Sequence, residues 1–125
     1  MSEQSRLFEA GPDPFGRMWT VQFRWLQTAI SIRHADTIDV KFFVSSEGYS
    51  TEEKVIALPR HELLTLTANS DRRLTDSLCM RIAAAHLRYM IETSEDMEKT
   101  LVTVLPAELA RYFEQMKETA SLAHR

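Results

Sequence analysis

The chain has 125 residues, 44% of them apolar, with three glycines, one cysteine and a formal net charge of −3. That length is enough to bury roughly two-thirds of the unfolded surface around one core, and an apolar fraction this high argues against disorder. A single cysteine, Cys79, excludes an internal disulfide framework, no apolar run approaches the ~20 residues of a membrane helix, and the basic residues are scattered.

With a sequence pI near 5.8 and no basic stripe, nucleic-acid binding is disfavoured. The first residues hold no apolar core of the kind a secretory signal requires, so a cytoplasmic location is expected. No membrane association and no cofactor are expected.

Residues 1–17 are polar apart from Leu7, Phe8 and Phe15, and "GPDPFG" puts two prolines and two glycines into six positions. This reads as an N-terminal arm, with Leu7 and Phe8 suited to docking, ahead of a single domain over 18–125. From Trp19 the chain alternates strictly: Trp19, Val21, Phe23 and Trp25 on one side, Thr20, Gln22 and Arg24 on the other. A period of two is a half-buried strand. The apolar phase then switches to Ile30 and Ile32, which requires either a bulge in one long strand or an open turn at Leu26–Thr28, and the bulge is preferred.

After the polar connection "RHADT", Ile38, Val40, Phe42 and Val44 alternate with Asp39, Lys41 and Phe43 as the next strand, closed by a turn at Gly48. Lys54 to Leu58 is a third strand, and the three form an antiparallel meander. "VIALPRHELL" and "VTVLPAELA" both pass from β-branched residues through Leu-Pro into Glu-Leu. Proline suits a first helical turn and ends a strand ladder, so each is a strand-to-helix junction.

A short helix is predicted over Pro59–Ala68. A longer one, capped by Thr75 or Asp76, carries Leu78, Cys79, Ile82, Ala83, His86, Tyr89 and Met90 at three- and four-residue steps. "TSED" reads as the head of a capped turn, Thr100–Leu105 as a strand, and Pro106 as the start of a terminal helix bearing Leu109, Phe113, Met116 and Ala120. The expected fold class is α+β: a mostly antiparallel sheet of about four strands, with a central helix and two further helices on one face.

Few residues carry a chemical signal. His61-Glu62 resembles the start of a zinc-protease helix, but Thr65 stands where the second histidine is needed. Cys79 and His86 are seven residues apart, ~10 Å along a helix and too far to pair. Glu92, Glu95, Asp96 and Glu98 lack the alternating oxygens and glycine of a calcium loop and read as a solvated corner. Arg33, His34 and Asp36 could hold an anion, move a proton and orient a histidine, or simply form a polar turn. His86 lies on the apolar side of the central helix, where a satisfied core imidazole is the plainer reading.

The aromatic side formed by Trp19, Phe23 and Trp25 exceeds what a small sheet usually needs to seal against a helix; packing into the core is its plainer reading, and a partner surface or ligand-pocket wall the other. No glycine-rich phosphate loop, nucleophile elbow or dinucleotide fingerprint is present. The leading expectation is therefore a protein that acts by association, as a homodimer or an accessory subunit, through its sheet or aromatic surface. The alternative is a small-ligand binder or enzyme with a pocket between sheet and central helix, using Arg33, His34, Asp36 or His86. A nucleic-acid patch around Arg72, Arg73 and Arg81 would require salt-dependent affinity.

Overall fold

Alternating stretches pair as strands, and the three- and four-residue repeats wind as helices. A computed structural model describes residues 7–29, 36–70 and 73–123. The elements run β1 (Leu7–Ala10), β2 (Trp19–Ala29), β3 (Thr37–Ser46), β4 (Glu52–Pro59), α1 (Arg60–Ala68), α2 (Asp76–Thr93), β5 (Leu101–Thr103) and α3 (Pro106–Ala123). They form an α+β fold with a five-stranded sheet in the order β1-β2-β3-β4-β5.

The first four strands are an antiparallel meander, while β5 lies parallel to β4. A parallel pair needs a crossover, and α1 and α2 provide it. Sequence alternation predicts about four strands. The fifth is β1, from the segment read as a docked arm, paired with β2 from Leu7 opposite Gln22 to Ala10 opposite Trp19. Four residues are too few for a period of two to stand out.

The core lies on one side of the sheet. Ile38, Val40, Phe42 and Val44 of β3 are buried and alternate with half-exposed neighbours, as a strand covered on one face must. Ile56 and Leu58 of β4 join them against Ile82, Leu87, Met90 and Ile91 of α2 and Leu109 and Phe113 of α3. Each such side chain contributes ~1.5–3 kcal/mol when fully buried.

Helix ends follow their local chemistry. Thr75 accepts a hydrogen bond from the Leu78 N–H at 3.1 Å and caps α2. The Leu105 N–H donates to Glu108 Oε1 at 3.1 Å, the reach-back half of a capping box at the head of α3. "TSED" does head a turn, over 95–98, with Thr93 Oγ1 accepting the Glu95 N–H at 3.2 Å, but the turn is not helical, Asp96 having φ 59°. Ser94 is the left-handed C-cap of α2, with φ 63°, and the loop beyond it is held from below by the buried Lys54, whose Nζ donates to the carbonyls of Met97 and Lys99. Among the described residues no helix is long and apolar enough to cross a membrane.

Candidate functional site

The aromatic side predicted for β2 is divided between the two faces of the sheet. Phe23 lies opposite Phe42 and Trp25 opposite Lys41, so Arg24 is an extra residue with no partner across the ladder. This is the β-bulge preferred at Leu26–Thr28, placed a little earlier. An inserted residue reverses the facing of everything after it. Trp19 and Phe23 therefore pack against the core, Trp25 turns to the other face, and Leu26 takes the inward place opposite Val40.

Register carries the outer face across the sheet. Trp25, Lys41, Val55 and Leu101 stand side by side on β2, β3, β4 and β5, and none belongs to the core cluster. Trp25 remains 37% exposed and Leu101 57%. The Lys41 ammonium lies 5.4 Å from the Trp25 ring centroid and 5.7 Å from that of Phe43, and it forms an ion pair with Glu53. Arg24 lays its guanidinium over Phe43 at 4.9 Å. The result is an aromatic and aliphatic patch threaded with charges that already have partners.

Trp19 is used up internally. Its indole N–H donates to Asp13 Oδ2 at 3.0 Å, closing the β1–β2 connection. In the sequence "GPDPFG" reads as a break and the hub does not stand out, although an aspartate able to turn on its own backbone a few residues before a tryptophan was a signal for it.

His86 is buried between α2 and α3, its Nδ1 hydrogen-bonded to Tyr112 Oη at 2.8 Å and its ring edge-on to that of Tyr112. Burial pushes its pKa below the ordinary 6.5, against the opposing pull of the Glu108, Asp96 and Glu95 carboxylates. The imidazole is thus neutral at neutral pH, and its 3.9 Å approach to Glu108 is no ion pair there. Burial foremost, then Asp76, pushes the Cys79 thiol up to about 11, so it stays protonated among the core side chains. The structure brings neither Asp36 nor Cys79 to His86. Asp36 instead uses its carbonyl to accept the Arg60 N–H at 3.1 Å, and Arg33 and His34 lie outside the described residues.

A recess does lie between sheet and central helix, with different residues from those expected. A groove of about 250 Å³ is floored by Phe8, Phe23 and Phe42, with Arg81 and Arg88 of α2 among its walls. It adjoins a second recess of about 390 Å³ between α2 and α3 that contains Arg111 and Tyr112. In the sequence Arg81 reads only as part of a nucleic-acid patch and Arg88 as a scattered charge; their seven-residue spacing, which stacks them on one side of a helix, was the available signal. No protein-family model, curated protein or solved structure matches this chain.

Proposed function

We propose that this protein works by association, pairing with a second copy of itself through the outer face of the sheet in a cytoplasmic setting. The observation that carries this reading is the row Trp25, Lys41, Val55 and Leu101, which lies outside the core and runs across four strands. Aromatic and arginine side chains are enriched where proteins bind one another, and truncating them has the largest effects.

Several features favour a second copy as the partner. The face carries both signs of charge, with Arg24 and Lys41 near Asp39 and Glu53, so it can complement itself about a twofold axis. Lys41 and Glu53 neutralise each other within the chain, which lowers the cost of removing them from water. Strands of about ten residues give a face ~33 Å long, of the order needed for the ~800 Å² per partner of a standard interface. Two such faces stack ~10 Å apart.

Sedimentation equilibrium on the wild type and on Trp25→Ala tests the reading. The expected result is at least a ~30-fold weaker dimer in the variant, from loss of ~2 kcal/mol at a central aromatic, with its circular dichroism unchanged. A wild type that stays monomeric at high concentration, or a variant that dimerises equally well, would refute it.

A further inference from the structure

The groove on the covered side of the sheet is a second, independent feature, remote in kind from the outer face. Its floor is apolar: Phe23 meets Phe42 edge-on with centroids 6.1 Å apart, and Phe8 comes from the edge strand. Arg81 and Arg88 are spaced two helical turns apart, ~10 Å, along α2. Both are exposed, and neither forms an ion pair with a carboxylate among the described residues. Arg88 is positioned by its neighbours, donating to the Glu9 carbonyl at 3.1 Å and lying over the Phe8 ring at 4.9 Å. Glu92 lines the adjoining recess and not the groove.

In a chain with a net charge of −3, two guanidinium groups without carboxylate partners among the described residues, beside an aromatic floor, are a local reversal of sign. We infer that this groove binds a small amphipathic carboxylate, with its apolar body on Phe8, Phe23 and Phe42 and its carboxylate held by Arg81 and Arg88. Guanidinium forks match carboxylates in geometry, and an apolar pocket with a few convergent polar groups is the usual form of a small-molecule site. A volume of about 250 Å³ equals roughly eight water volumes, which suits a medium-chain monocarboxylate.

Octanoate is the probe, followed by amide NMR of isotope-labelled full chain, with acetate as the head alone and octanol as the tail alone. Saturable octanoate shifts centred on α2 and β1–β3 are expected, with acetate and octanol each at least ~tenfold weaker. The double variant Arg81→Gln and Arg88→Gln should weaken octanoate at least ~tenfold, the scale of one lost charge-assisted hydrogen bond. Both positions are exposed, so its spectrum should remain that of the folded protein. Ala84→Leu, which narrows the groove and leaves both arginines in place, should weaken octanoate as well.

Octanol binding as tightly as octanoate, an arginine variant that binds as the wild type does, or no saturable response at millimolar octanoate would overturn the inference. So would a response only to an acidic amphipathic peptide, which would make the groove a peptide dock. Shifts of the same amides on raising protein concentration alone would assign it to a second copy and also overturn it.

Discussion

Trp19 and Trp25 stand six positions apart on one strand and have opposite roles. Trp19 belongs to the Asp13 hub, where the carboxylate also accepts from the Phe15 N–H at 2.8 Å, the Arg17 N–H at 2.9 Å and Arg17 Nε at 3.0 Å. Burial alone would raise the Asp13 pKa, but these donors outweigh it and hold it at about 2. The ordinary value being 3.8, the stabilisation is fully present above that pH and is lost as pH falls towards 2. Asp13→Asn should lower the melting temperature by several degrees at neutral pH and flatten that acid loss, as thermal melts across the range would show.

His86 acts in the same acid direction through another cause. Its folded pKa is below 6.5, so below that pH the unfolded chain takes up the proton more readily and stability falls, with a slope of at most about 1.4 kcal/mol per pH unit. The fall ends once the folded imidazole is itself protonated. Urea unfolding at a series of pH values should show this slope in the wild type and lose it in His86→Gln; an unchanged profile would mean that another group is responsible.

At the scale of elements, most of the fold was legible because its signals are local. Alternation marks β2 and β3, the Leu-Pro junctions mark the starts of α1 and α3, and Thr75 marks the start of α2. Two features were not. The strand β1 is too short to alternate, and the phase switch in β2 could be placed only to within a few residues because its cause is pairing with β3, a tertiary event. The bulge decides which face Trp25 occupies. Deleting Arg24 removes the extra residue and leaves Trp25 opposite Lys41 and Leu26 opposite Val40, so the variant should keep the fold and lie within ~1 kcal/mol of the wild type in chemical denaturation. A deletion variant destabilised by several kcal/mol would show that Arg24 is not a dispensable insertion in that ladder.

At the scale of the whole molecule, the sheet is sealed by helices on one side and carries a charged aromatic row on the other. That division was only half visible in the sequence. The excess of aromatics on β2 was plain, but Phe43 sat unremarked in the polar phase of β3, and nothing local says that Val55 and Leu101 align with Trp25 across four strands. The same limit applies to the groove, whose floor and arginines come from elements distant in the chain. Burial of the outer row in a symmetric pair is the central claim, and native mass spectrometry of gently purified protein tests it most directly. A species at twice 14.4 kDa is expected, and Trp25→Ala should convert it to monomer. A wild-type spectrum holding monomer alone, at concentrations where the folded chain is abundant, would contradict it.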